Sequence, residues 1–465
     1  MLGFRPPVSA LTVGLVNHLN FADTPQAAHF EDRAIPYLAE TLLAGLSLLS
    51  RGHETASASA SHPCVVAPIN QLPFEVIGEI FLWYIQLDEN DFHRRHDYVS
   101  SLSVVTEVCN LWRTIARSLP VLWSRIVICS PHPRHIVMTR LFLERSRSHP
   151  LSIKIQHVYK PTGRRWDYML AQCPEEHTFT NDIFYLLVPH LHRWKNLTLQ
   201  FRGNRQPPAL MSLCLTAQPA PLLETLDLDV ESWDAEHADN LGRTLCSYPS
   251  VRHFRWAGIP PTADFTLWNK LTTLDVNFRC FDSCLACLSH CRSLRTLTCS
   301  FMQGGPSSIP QHSIILEELD TLRVHTWQPL DPFLDCLTLP RLRSVRLHSN
   351  CPVEDPHSLI SLLKRSSCQL QKFHYFDLKT LHTEQLYAYF SSAEFAYLGE
   401  LTVRACGRAD GIVELLSRHQ NRPFMLPNIR KLVLNVNAPN DSVLRMFASR
   451  IDHPAEFRDF RLIQK

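Results

Sequence analysis

Apolar positions along this chain follow two different rhythms. Between residues 72 and 123 they recur at helical spacing, and beyond 123 they recur as short alternating triplets. In the first stretch Val76, Ile77, Ile80, Phe81 and Tyr84 stand at i, i+1, i+4, i+5 and i+8, which gathers them on one helical face. Pro73 precedes them, with φ already fixed near the helical value and no amide to leave unpaired, so the helix starts there. A second stripe, Val105, Val108, Cys109, Trp112, Ile115 and Ala116, predicts one further amphipathic run. It closes with Leu119, Pro120, Val121, Leu122 and Trp123. Two or three short helices bury too little surface to be stable alone, so the segment needs a partner or the following domain to lean on.

In the second stretch the pattern apolar-x2-apolar-x-apolar begins at residues 194, 223, 251, 271, 294, 319, 342, 370, 398, 429 and 457, at intervals of 20 to 31 residues. Alternation within each triplet turns one side of a short strand toward a core. The residues between triplets then return the chain, through a helix, so that the next strand pairs in parallel. Helical returns are predicted at 358–363, 384–390 and 411–416, and Asn440, Asp441 and Ser442 offer oxygens to cap a last one. Trp123/Ile126/Ile128 and Leu151/Ile153/Ile155 read as two irregular opening strands, so the array grows directly from the helical segment. Loops are expected at 159–180 and 304–310.

Three motifs in order carry a family resemblance. Leu72-Pro73-x-Glu75 with the pair Ile80-Phe81, then Val108-Cys109-x2-Trp112-Arg113-x2-Ala116, then Leu122-Trp123, resembles the F-box. The triplets resemble leucine-rich repeats, whose periods are similar. The resemblance implies docking onto the Skp adaptor of a cullin-RING ubiquitin ligase, with the repeats selecting a protein substrate. Carried over by position, Leu72, Pro73, Val76, Ile77, Ile80 and Phe81 would supply one part of the adaptor surface, and Val105, Val108, Trp112 and Ile115 the other. The polar residues 86–100, with Asp88, Glu89, Asp91, Arg94, Arg95 and Asp97, exceed the family's usual connection. The ninth repeat position, where a buried Asn or Cys ties adjacent turns in that family, is met by Asn350, Cys406 and Asn437, while Glu231 and Trp327 stand there in other repeats. The expected fold is therefore α/β: a small N-terminal helical F-box module at 69–126, followed by an irregular leucine-rich-repeat solenoid with a parallel sheet at 127–465. Residues 1–68 are expected to hold a helix and a flexible linker: 34–49 is leucine-rich but too short to span a membrane, and 55–68 is rich in Ser, Ala and Pro. The apolar 8–16 after Arg5 makes a poor signal peptide, because Pro6-Pro7 sits badly in it and no small-residue cleavage site is clear.

Composition narrows function further. Forty-six basic residues nearly cancel 44 acidic ones, so no overall field recruits nucleic acid or an anionic membrane. Fifteen cysteines, spread along the chain, point to reduced thiols in a cytoplasmic or nuclear setting. Only 14 glycines are present, and no phosphate-cradling or hydrolase motif is found. Cys280-x3-Cys284-x2-Cys287-x3-Cys291 has the spacing of a zinc or iron-sulfur site, and its first three residues match radical enzymes that cleave S-adenosylmethionine. The same four positions also share one helix face between two triplets, where cysteine packs as a small apolar residue, and that account is preferred. His132/His135, His190/His192 and His253 form no ligand set with carboxylates. Trp233, Trp256, Trp327, Tyr375 and Phe376 serve either as core or as anchors for a protein partner, depending on the face they occupy. The expectation is a non-catalytic ligase subunit with no cofactor; the alternatives are a repeat scaffold without a ligase role and a metalloenzyme built on the cysteines.

Overall fold

The computed structural model describes residues 68–90, 98–157, 174–201, 207–215, 219–229, 233–258, 265–301, 313–349, 356–377, 383–408, 410–418, 425–437, 440–451 and 459–463. The expected N-terminal helix and linker, the charged residues 91–97 and the predicted loop at 304–310 lie outside the described residues. The chain divides into two compact units, one ending at Ala116 and the other beginning at Arg117.

The described part of the first unit is helical. A short 3-10 turn at Pro68–Gln71 leads through Pro73 into Phe74–Asn90, followed by Tyr98–Glu107 and Asn110–Ser118. The polar connection expected over 86–100 is mostly helix: residues 86–90 extend the first helix and 98–100 begin the second. The second apolar stripe is likewise not one run, because the helix stops at Glu107 and restarts at Asn110. Local polar groups occupy the break, where Arg113 Nε donates to the Thr106 carbonyl at 2.9 Å and the Trp112 amide donates to Cys109 Sγ at 3.5 Å. Phe81 and Trp112 are buried with ring centroids 5.0 Å apart, and Trp112 Nε1 donates to Asn70 Oδ1 at 3.1 Å, so the indole's polar edge is satisfied.

The second unit is built on a parallel sheet. Its strands are β1 (Arg125–Cys129), β2 (Leu151–Gln156), β3 (Trp194–Gln200), β4 (Thr225–Asp229), β5 (His253–Ala257), β6 (Thr273–Phe278) and β7 (Thr296–Phe301). They continue with β9 (Thr321–Thr326), β11 (Ser344–Ser349), β12 (Lys372–Asp377), β13 (Glu400–Arg408), β14 (Lys431–Asn437) and β15 (Asp459–Ile463). All 13 stand in chain order, and β8 (Ile314–Ile315) pairs with β10 (Leu337–Thr338) in a separate small sheet. Each of the eleven triplets supplies one strand. Trp123 does not belong to the opening strand as expected; it ends a helical turn, Pro120–Trp123, favoured by Pro120 at its first position. Nor are residues 174–180 loop, because they begin the helix Pro174–Leu187. Arg125 and Ile126 pair with Ser152 and Ile153, so the sheet begins two residues before the boundary the sequence suggests at 126/127.

Register explains the periodicity. The middle apolar residue of each triplet aligns across the sheet, as in Leu226, Phe254, Leu274, Leu297, Leu322 and Val345, and the last one aligns as Leu228, Trp256, Val276, Cys299, Val324 and Leu347. Both rows are buried. Return segments supply the opposing surface: Phe281 and Phe333 meet Phe301 at 4.5 and 5.2 Å, and Tyr389 and Phe395 meet Phe373 at 5.5 and 5.1 Å. The returns predicted at 358–363, 384–390 and 411–416 are the helices Pro356–Ser366, Thr383–Ser391 and Asp410–Leu416. A helix also begins at Asn440, where capping residues are expected.

Candidate functional site

Two surfaces carry unusual chemistry. The first lies on the helical unit. Of the ten positions singled out from sequence, Leu72, Pro73, Val76 and Val108 are exposed and Ile80 is half-buried. Ile77, Phe81, Val105, Trp112 and Ile115 are buried, their side chains enclosed by this chain. The physical reason is the width of the stripe: apolar residues cover more than one side of each helix, and the innermost ones fill space between helices. Four apolar residues not singled out join the exposed set, namely Phe74, Trp83, Val104 and Leu111. Phe74 is 60% exposed and Trp83 61%, which is costly for rings of that size in water. Their signal was present in the sequence as apolar residues off the main stripe.

The second surface is the face of the large sheet opposite the buried rows. Between those rows, one residue per strand stays at least partly accessible, and in register they read Lys154, Thr198, Asp227, Arg255, Asp275, Thr298, Arg323, Arg346, His374 and Thr402. Arg255 bridges its two neighbours, with Nη1 3.2 Å from Asp227 and Nε 3.4 Å from Asp275. Burial alone would lower the Arg255 guanidinium, but the two carboxylates outweigh it and hold it above its ordinary value. Burial, with Asp227 adding, raises the Asp275 carboxyl, and Arg255 and, less strongly, Arg323 offset that in part. One row along, Lys372 pairs with Glu400 at 3.0 Å.

Arg323 and Arg346 differ. They are directly opposite each other on β9 and β11, and neither has an ion-pair partner among the described residues. The Nε of Arg346 is enclosed with no hydrogen-bond acceptor among the described residues, and its Cζ lies 5.7 Å from the Phe376 ring. Burial, with Arg323 adding, lowers the Arg346 guanidinium from its ordinary value. Beside them His325 stacks on His348 at 4.2 Å, and His348 is 5.8 Å from Phe376. Trp327, 59% exposed, stands 6.3 Å from His325. Among the aromatics whose face the sequence left open, Trp233, Trp256 and Tyr375 are buried, whereas Trp327 and Phe376 reach the accessible side.

The cysteine motif is packed. Cys284, Cys287 and Cys291 are buried on or just after the helix Phe281–Leu288, and Cys280 is half-buried at its N-cap. Burial, together with neighbouring thiols, raises the pKa of Cys284 and Cys287 well above the ordinary thiol value, which keeps them protonated. Cys287 and Cys291 sulfurs are 4.0 Å apart. Among the described residues, no group of three or more His, Cys, Asp or Glu side chains is placed to hold a metal ion. The histidines single out no centre either: His135 accepts the His132 amide at 3.1 Å as part of a helix cap. No helix among the described residues is long and apolar enough to cross a membrane.

Sequence patterns gave no sign of three arginines that tie successive returns together. Arg193 donates to the His149 carbonyl at 2.9 and 3.0 Å and to Ser146 Oγ at 2.7 Å. Arg365 reaches the carbonyls of Leu334 and Leu337 at 2.7 to 3.0 Å, and Arg450 those of Leu416, Met425 and Leu426. Asn350, Cys406 and Asn437, expected to make such ties, are not among the side chains described. No protein family model matches the chain, and no curated protein matches its sequence.

Proposed function

We propose that this chain is a substrate-recognition subunit of a cullin-RING ubiquitin ligase, docking through an F-box onto a Skp adaptor and holding a protein substrate on a leucine-rich-repeat solenoid. The observation that carries the proposal is the exposed apolar set on a small helical unit: Leu72, Phe74, Val76, Trp83, Val104, Val108 and Leu111. Surface of that kind marks a protein contact. It includes Leu72, Val76 and Val108, three of the positions that the F-box resemblance assigns to adaptor contact, and a fourth, Pro73, is exposed beside them. Ile77, Phe81, Val105, Trp112 and Ile115 then act indirectly, by fixing the helices that present the others. The chain supplies no catalytic group in this scheme; it brings a lysine of the bound substrate near the ligase's conjugating enzyme, and proximity does the rest. Cullin contact is made through the adaptor, and neither nucleic acid nor membrane is involved.

The test is co-purification with a Skp adaptor. Leu72→Ala with Pro73→Ala removes exposed apolar surface, and truncated interface anchors commonly cost about 2 kcal/mol or more, roughly 30-fold in affinity. Undiminished capture of the adaptor by this variant, or no capture by the parent chain, sinks the ligase proposal. A second proposal, a repeat scaffold without a ligase role whose helices only cap the array, predicts no capture in either case.

A further inference from the structure

We propose that the accessible face of the sheet at β9, β11 and β12 is the capture site for an acidic peptide segment, whose carboxylates pair with Arg323 and Arg346 and whose apolar side chains lie against Phe376 and Trp327. This deepens the proposal that the sheet holds a protein substrate, and rests on it. Like charges directly opposite on neighbouring strands destabilise a sheet. Elsewhere on this face that cost is removed by a carboxylate: Arg255 lies between Asp227 and Asp275, and Lys372 beside Glu400. Arg323 and Arg346 face each other with no carboxylate in ion-pair contact among the described residues, and Asp275, two strands from Arg323, attracts that guanidinium at longer range. An external carboxylate supplies the missing opposite charge to the accessible parts of the two guanidinium groups.

Geometry sets the size and class of the occupant. Acidic groups bound the positive zone on both sides, Asp275 on β6 and Glu400 on β13. From β6 to β13 the sheet runs through β7, β9, β11 and β12, so the two acidic groups stand roughly 24 Å apart across it at ordinary strand spacing. A polyphosphate backbone crossing the sheet would meet those carboxylates, whereas a few acidic side chains spaced along an extended peptide would not. The stacked imidazoles of His325 and His348 give the zone flat faces, the Phe376 ring adds apolar surface, and exposed Trp327 stands 6.3 Å from His325. That surface fits an apolar side chain next to the acids.

The test uses the full chain and a fluorescein-labelled peptide of repeated glutamate, serine and phenylalanine, followed by anisotropy. Arg323→Gln with Arg346→Gln is expected to weaken binding about tenfold or more, and raised salt to weaken binding of the parent chain. Arg140→Gln with Arg292→Gln, two exposed arginines elsewhere, removes the same charge and should leave affinity unchanged. Should the first double variant fail to fold by circular dichroism, Arg323→Gln alone carries the same expectation at about threefold. Absence of binding by the parent chain, equal binding of a lysine-for-glutamate peptide, unchanged affinity of the arginine variants, or tighter binding of single-stranded DNA of equal charge overturns the inference. Adaptor capture is measured on the same preparations: capture without peptide binding refutes this site alone, and peptide binding without capture refutes the ligase proposal alone.

Discussion

Replacing Arg450 by methionine tests whether arginine ties hold the repeats together. Arg450 is 3% exposed on the helix Asn440–Ile451, and it donates from Nε to the Leu416 carbonyl at 2.6 Å, from Nη2 to Met425 at 2.8 Å and from Nη1 to Leu426 at 3.3 Å. Burial lowers its pKa to about 10, which still leaves the guanidinium charged at neutral pH. Methionine preserves the apolar stem and most of the volume but donates nothing. Two carbonyls then lose a well-formed charged partner and the third a weak one; a buried acceptor left unsatisfied costs about 1–3 kcal/mol. Relief of the guanidinium's own desolvation offsets part of this, so the net destabilisation expected is about 2–4 kcal/mol. Arg450→Lys keeps the charge but cannot span all three oxygens, and falls between. Because each strand pairs only with its neighbours in chain order, the loss is expected to be local. Hydrogen exchange should show it: amides of β14 and of Asp410–Leu416 exchange roughly 30- to 700-fold faster in the methionine variant, while those of β4 to β7 do not change. Protection within about tenfold of the parent at those amides would refute the idea that this side chain is a tie.

Burial, with His177 adding for His157 and Arg346, Lys372 and Lys431 adding against Glu400 for His374, pushes both histidines down to about 4. Their folded values lie below the ordinary 6.5, so the unfolded chain takes up protons first: stability is full above about pH 6.5 and declines toward about 4, by at most about 3 kcal/mol per histidine. His157→Asn with His374→Gln should flatten the fall in urea midpoint over that window, and an unaltered slope would count against it. Leu322→Ala, at a fully buried ladder position, is expected to cost about 2–5 kcal/mol in urea titrations; a cost under about 1 would mean the row is not close-packed. Elemental analysis of purified protein should find no zinc tied to the protonated thiols of Cys284 and Cys287, and one equivalent per chain would reverse that account. In the helical unit Trp112→Ala should lower its melting temperature, whereas Trp83→Ser should leave it within a few degrees; the opposite order would mean the burial assignments are inverted.

Much of the sheet was legible because one rule repeats. A strand needs two inward apolar residues separated by one outward residue, and parallel pairing in register sets every copy equivalent, so Leu274 and Leu322 could be placed without knowing what lay between them. The helix break at Val108 and Cys109 was hidden for the converse reason. An apolar stripe continues through it at 3.6-residue spacing, while the interruption is made by Thr106, Arg113 and the Cys109 sulfur, none of which breaks a helix by type. The arginine ties were hidden too, since Arg193 and Arg450 are residues whose default place is the surface, and their acceptors are backbone carbonyls that any sequence provides.

The charges on the accessible face needed both kinds of information at once. Asp227, Arg255 and Asp275 are 28 and 20 residues apart, and only the register makes them a row in which one arginine pairs with a carboxylate on either side. Applied one step further, the same register places Arg323 against Arg346. A sheet that balances its charges on β4 to β6 and again at Lys372 and Glu400 has the means to balance them everywhere, since a single aspartate in place of Thr298 would stand directly opposite Arg323. The imbalance is therefore not imposed by the fold. It is confined to the strands that also carry the stacked imidazoles, Phe376 and Trp327, and a charge left open where apolar rings are also left open is the arrangement a partner, and not the sheet itself, completes.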